Sequence, residues 1–312
     1  MKLFKLTLAS LLAATALYAK PINWGTGGPT GNYFSMSQEI IETCGEGRED
    51  VLINTGGSSD NIFGATQKKY KIFWSSADVL FDAARLNPKV NQNNFKILAR
   101  LHNEQVHLLI PKGWKPVVES SWADRLSSIA SKFTSDGPAP IKVDINLLKG
   151  QVIGSWGGSI KAAEALSNVF QLNATVKSIP EAYRTNPGIP TILVGGAPYK
   201  AVEEILATGK YVLVSLDSLA IARIAPHYVP ANVMYKVNGK VESIPTVAVP
   251  ALLLGKASRK ADRNKPMEDL ATCIDKNLDI LAEESSNPNW ETAFEANENG
   301  MSLNWSYFDI AK

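Results

Sequence analysis

Short apolar runs of strand length alternate along the chain with stretches whose apolar residues recur at helical spacing. This alternation predicts an α/β protein with mainly parallel strands. Three junctions repeat one arrangement, an apolar strand running into a Gly/Ser/Thr turn that opens a helix: Ile22 to Ile40, Val51 to Gln67 and Val152 to Leu166. A helix is expected from Ser58, a strand over Lys71 to Val79, and a helix LFDAARL stopping before Asn87-Pro88. Lys96 to Gly113 reads as one or two long strands ended by Pro111 and Gly113. Glu119 to Phe133 reads as a helix, followed by the breaker cluster Ser135 to Pro140. A second set of strands follows at Ala174 to Ile179, Thr191 to Pro198 and Tyr211 to Leu216. Thr246 to Gly255 returns as a strand before helices that begin near Pro266 with MEDLATCIDKNLDILAEE.

Two similar α/β sets and a return strand predict two lobes joined by crossing strands. The first lobe takes residues 20–108 and 246–312, the second residues 109–245. Ligands of open α/β sheets sit at the C-terminal strand ends, where all three turns fall, so the cleft between lobes is the expected site. Each turn opens a helix, whose first amides lack partners within the helix and sit at the positive end of its dipole. Such a terminus seats a carboxylate or other anion, with glycine permitting close approach and Ser or Thr adding a hydroxyl. The blander reading of Ser58 and Ser159 is that they are helix N-caps. Trp74 reads as core, whereas Trp156, between Ser155 and Gly157 in a turn, is read equally as core or as a ligand-facing wall.

The first residues change the setting. Lys2 and Lys5 precede the apolar run LTLASLLAATALYA, which ends in small residues. This is a secretory signal pattern, with residues 1–19 removed after Ala19; a first buried helix is the alternative. Loss of those two lysines leaves basic and acidic residues equal in number, which gives no footing for nucleic acid or for a polybasic membrane contact. An exported protein of this kind belongs in the periplasm. Cys44 and Cys273 are too far apart in sequence for zinc or CxxC redox patterns; a disulfide and two separate buried thiols both remain open.

Reaction chemistry is sparse. Gly25, Gly27 and Gly31 miss the GxGxxG spacing by one position, and no GKS or GKT follows, so no nucleotide cofactor is expected. There is no GxSxG, SxxK or HExxH, and His102, His107 and His227 lack metal-ligand spacing. Glu203-Glu204 and Glu283-Glu284 read as solvated helix faces. A binding protein without cofactor, metal or catalytic residues is expected, and not an enzyme.

The segments GTGGPTGNYF, TGGSSDN, SSADV, LKGQVIGSWGGS, GGAP, YVPANVMY and TVAV, in that order, resemble the TAXI substrate-binding proteins of TRAP transporters. The resemblance covers most of the chain after the leader. It implies a two-lobed periplasmic binding protein of type II topology, a monomer, delivering an organic or amino acid to an integral membrane permease. Glutamate and 2-oxoglutarate-like acids stand first among ligands, with monocarboxylates next. Carried over by position, Thr26, Tyr33, Ser58 and Asn61 would be ligand contacts from the first lobe, and Ser155, Trp156 and Ser159 from the second. Asp78 would order the cleft rather than touch the ligand. The alternatives on the same fold are a ligand sensor docking on a membrane receptor and an exported enzyme.

Overall fold

The computed structural model describes residues 21–45, 49–116, 142–237, 239–298 and 303–311. The expected leader and the expected helix Glu119 to Phe133 lie outside the described residues. The first half alternates β1 (Asn23–Gly25), α1 (Asn32–Cys44), β2 (Val51–Ile53), α2 (Ser58–Thr66), β3 (Ile72–Ser76) and α3 (Ala77–Leu86). A single strand β4 (Phe95–Pro111) then carries the chain into the second half. There follow β5 (Lys142–Val143), β6 (Val152–Ser155), α4 (Ser159–Val169), β7 (Thr175–Ser178), β8 (Thr191–Gly195) and α5 (Lys200–Ala207). β9 (Tyr211–Leu213), β10 (Ser215–Leu216), α6 (Ser218–Ile224) and β11 (Val229–Val237) complete it. The return strand β12 (Lys240–Lys256) leads to α7 (Lys265–Lys276), α8 (Leu278–Glu284) and α9 (Asn289–Glu298).

The main sheet runs in the order β2-β1-β3-β12-β4-β8-β6-β7. β1 is parallel to β2 and β3, and β6 is parallel to β7 and β8, whereas β12 is antiparallel to β3 and β4. The order β2-β1-β3-β12-β4, closed by a strand that returns from the other half, is the expected type II arrangement. β4 pairs with β12 up to Gln105, and with β8 from Gln105 onward. The passage from one lobe to the other therefore falls in the middle of a continuous strand. The expected lobe ends at 108 and 245 both lie inside the two crossing strands.

Alternation along these strands explains why they are apolar on both faces. Leu253 of β12 packs with Trp24, Met36, Ile40 and Trp290, whereas Leu252 and Leu254 pack on the opposite face with Phe73, Leu80 and Ile97. Past the crossing, Leu108 and Ile110 of β4 join Ile153 and Leu166, while Leu109 joins Leu193 and Ile205. Period-2 side chains buried on both faces need helices on both sides. α7 meets that need in the first lobe through Met267, Leu270, Ala271 and Ile274, one stripe of an otherwise polar helix started by Pro266. The run expected as one C-terminal helix breaks at Asn277, whose side-chain amide donates to Cys273 O at 2.8 Å. The strand expected over Lys71 to Val79 likewise stops at Ser76, because α3 starts at Ala77 to bury Val79 and Leu80. Cys44 and Cys273 form a disulfide between α1 and α7. Among the described residues no helix is long and apolar enough to cross a membrane.

Candidate functional site

Across the first two turns the hydroxyl and amide groups divide into those used within the first lobe and those turned to its rim. Thr26 is fully buried and donates to Ile53 O at 3.0 Å, tying the first turn to β2. Asn61 is also fully buried, accepting from Thr55 at 2.7 Å and donating to Trp74 O at 2.9 Å. The polar groups of both residues are thus satisfied inside the lobe, where they hold the turns in shape. Thr55 adds a bond to Thr26 O and accepts from Gly57 N at 3.1 Å. Asp60 takes Gly56 N at 3.0 Å. In the second turn the Gly56 and Gly57 amides, just before α2, are thus already occupied by the protein.

Tyr33 and Ser58 form the rim. Gly57, not Ser58, occupies the N-cap of α2. Ser58 Oγ accepts from Ser76 N at 3.0 Å and lies 3.4 Å from both Ser76 Oγ and the Tyr33 hydroxyl. Tyr33 stacks on Trp74 with ring centroids 4.9 Å apart and donates to Glu104 Oε2 at 3.0 Å. Trp24 and Trp74 are fully buried core rings, and Trp156, 8% exposed, belongs to the second-lobe cluster of Leu109, Ile179, Leu193 and Val202.

On the second lobe, Gly158 rather than Ser159 is the N-cap of α4. Ser159 Oγ donates to Val194 O at 3.1 Å and accepts from Val194 N at 3.0 Å, binding the helix start to the end of β8. Ser155 Oγ, at the end of β6, is fully buried and has no hydrogen-bond partner among the described residues. The Arg184 guanidinium lies 5.7 Å above the Trp156 ring, with its Nε also buried and unpartnered. Buried donors without partners are rare and costly, and they mark places where a ligand or water completes the bonding. Here one of them precedes Trp156 in the chain and the other lies over its ring.

The floor is the midpoint of β4. Gln105 accepts from Ala197 N at 2.9 Å and so fixes the turn after β8. Glu104, 16% exposed, stands between the lobes: Tyr33 from the first bonds it, and Tyr199 from the second lies within reach of its charge. Burial, with the nearby Asp78 carboxylate, pushes the Glu104 carboxyl up to about 8. Asp78 itself is fully buried and raised to about 6 by burial, against hydrogen bonds from Ser76, Val79 N and Tyr228. The Tyr228 hydroxyl reaches it from the second lobe at 3.2 Å. His102 is held down to about 4 by burial, its Nε2 4.0 Å from Glu104. Among the described residues no group of three His, Cys, Asp or Glu side chains is placed to hold a metal.

The lobes touch. A Cβ on Gly57 would lie 3.8 Å from Gly158 Cα, so the second and third turns face each other across the cleft. α3 and α4 are also joined by Asn168, which donates to both Asp82 carboxylate oxygens at 3.2 Å. The turns thus bring Ser58, which touches Tyr33, and Ser159 next to the facing pair Gly57 and Gly158. Glu104, Tyr199 and Gln105 were missed by motif reading. Glu104 and Gln105 leave a trace in the polar run His-Asn-Glu-Gln of β4, and Tyr199 directly follows the GGAP segment.

No family model matches the chain, and no curated protein matches it. Solved structures similar to it include YhfZ from Shigella flexneri, at 10% identity over 91% of this chain and 93% of that one, with a TM-score of 0.46. A periplasmic transporter follows at 14% identity over 91% and 94%, TM-score 0.44. The GluR0 ligand-binding core of Nostoc punctiforme, in complex with L-glutamate, follows at 13% identity over 88% and 98%, TM-score 0.42.

Proposed function

We propose that the protein is an extracytoplasmic solute-binding protein of the TAXI type, which captures a small carboxylate between its lobes and delivers it to a TRAP-type permease. One observation carries the carboxylate: Ser155 Oγ, at the end of β6 just before Trp156, and Arg184 Nε, whose guanidinium lies 5.7 Å from the Trp156 ring, are both buried and unpartnered among the described residues. A guanidinium matches a carboxylate bidentately, and the helix terminus adds favourable potential. Trp156 would cover the ligand from one side, and Tyr33 and Ser58 would reach it from the facing lobe. The transport role and the permease rest on the ordered motifs that resemble the TAXI family. The test is calorimetry with a panel of small carboxylates on the wild type and on Arg184→Ala. Removing the clamp should weaken binding by about 2–3 kcal/mol, the usual size for a charge-assisted bond. Affinities unchanged in the variant would reject the seat. Uptake in proteoliposomes that hold a TRAP-type permease from the same organism, dependent on the added protein, tests the delivery step.

A further inference from the structure

The cleft has a second pole that a simple carboxylate does not use. Glu104 sits at the floor where the two crossing strands pass between lobes, opposite the Arg184–Trp156 wall. Its Oε2 accepts from Tyr33, while the nearest charged donor to Oε1 is His102 Nε2, 4.0 Å away. The groups around it add negative rather than positive potential. Asp78 faces it from α3, Tyr33 from α1 and Tyr199 from the start of α5, while His102 on its own strand is buried. Opposite it on β12 stands Val249, which cannot ionise. Among the described residues no ion pair of a Lys or Arg with this carboxylate is present, although Arg184 lies near enough for the Tyr199 hydroxyl to sense both charges.

We propose that Glu104 is a specificity-determining residue that accepts a protonated nitrogen of the ligand, so that the cleft selects amphoteric molecules over keto acids and dicarboxylates of the same length. This rests on the carboxylate reading of the Arg184 wall. A ligand with a carboxylate at one end of the cleft and an ammonium near Glu104 meets a matching charge at both ends. 2-Oxoglutarate or glutarate would place a carbonyl, a methylene or a second carboxylate against an acid already crowded by Asp78. Ionised, Glu104 repels a second carboxylate; kept neutral for such a ligand, it forgoes the charge pair that an ammonium gains.

Glu104 also makes the choice visible as a proton. With its carboxyl held up to about 8, the empty cleft carries it mostly protonated at pH 7. An ammonium recruits the ionised form, so binding should release about one proton. A deaminated acid has no use for that charge and should release none.

The experiment measures the twenty standard amino acids, with glutarate, 2-oxoglutarate, propionate, pentanoate and butylamine, by calorimetry at pH 7 in two buffers of different ionisation enthalpy. The expected result is that an amino acid binds best and releases about one proton. Glu104→Gln should then weaken that ligand about tenfold or more while keeping the fold. Glutarate or 2-oxoglutarate binding more tightly than every amino acid overturns the proposal, and it leaves the carboxylate reading standing if Arg184→Ala abolishes that binding. Amino-acid binding without proton release, or unweakened in Glu104→Gln, also overturns it. Should the variant not fold, the wild-type proton count decides alone. If butylamine binds as well as the amino acids, or nothing in the panel binds, the carboxylate reading falls and this proposal with it.

Discussion

At the residue scale, the buried ionisable groups give the protein a pH signature. His102, His107 and His227 are each held down to about 4 by burial, so the unfolded chain takes up their protons first as pH falls below about 6.5. Stability from these groups is present above that value and is lost as pH drops through the folded values. Asp78 and Glu104 have the opposite sign. Their folded values, about 6 and about 8, lie above the unfolded ones, so their contribution is complete in acid and lost as pH rises through them. The three histidines of the unfolded chain outweigh the two acids up to about pH 6.5 and Glu104 dominates above about pH 7, so stability should peak between about pH 6.5 and 7 and decline by less than about 1 kcal/mol toward pH 8. Urea unfolding across this range measures the decline, and Glu104→Gln should flatten it. A stability that keeps rising to pH 8 would contradict the burial of this carboxyl.

At the level of elements, the strand–turn–helix junction is where sequence and structure agree most closely, and also where they divide. The hydrophobic runs place β1, β2, β3 and β6 and the helices after them because burial on both faces of a strand leaves a continuous apolar signature. The same local pattern cannot say which amides a turn keeps for a ligand. Thr55 and Asp60 occupy two of them, through contacts set by the folded turn. Gly57 is the position at which the turn depends on glycine, with φ at +104° and ψ at −154°, a region that side chains disfavour strongly. Gly57→Ala should cost about 1–3 kcal/mol in chemical unfolding. Gly28→Ala, where an added Cβ meets nothing within 4 Å, should be nearly silent. Equal effects in the two variants would deny the turn its special backbone.

For the whole molecule, the constraint of longest reach is the Cys44–Cys273 disulfide, whose partners lie 229 residues apart. It joins the first helix of the chain to a helix reached only after the second lobe is complete, so it holds the two sequence-distant parts of the first lobe together. A bridge closing so long a loop limits the unfolded chain strongly, and its reduction should lower stability by about 2–5 kcal/mol. Thiol titration of the unfolded, unreduced protein should find no free thiol; two free thiols would contradict the bridge. The contacts between Gly57 and Gly158 and between Asp82 and Asn168 meanwhile close the cleft from both rims, so the arrangement described is one with the lobes together.

By itself the sequence determined the α/β class, the crossing strands and the position of the three turns, because burial period and glycine content are local properties that each segment carries alone. It also flagged Tyr33, Ser58, Ser155, Trp156 and Ser159, but not Arg184. Tertiary structure decided the rest, for a physical reason common to every case: the outcome depends on what a distant segment brings alongside. Whether Cys44 pairs depends on α7, and whether Thr26 and Asn61 face a ligand depends on which carbonyls β2 and β3 offer them. Only the meeting of β4 with Tyr33 from one lobe and Tyr199 from the other turns Glu104, one acid in a long strand, into the floor of a cleft.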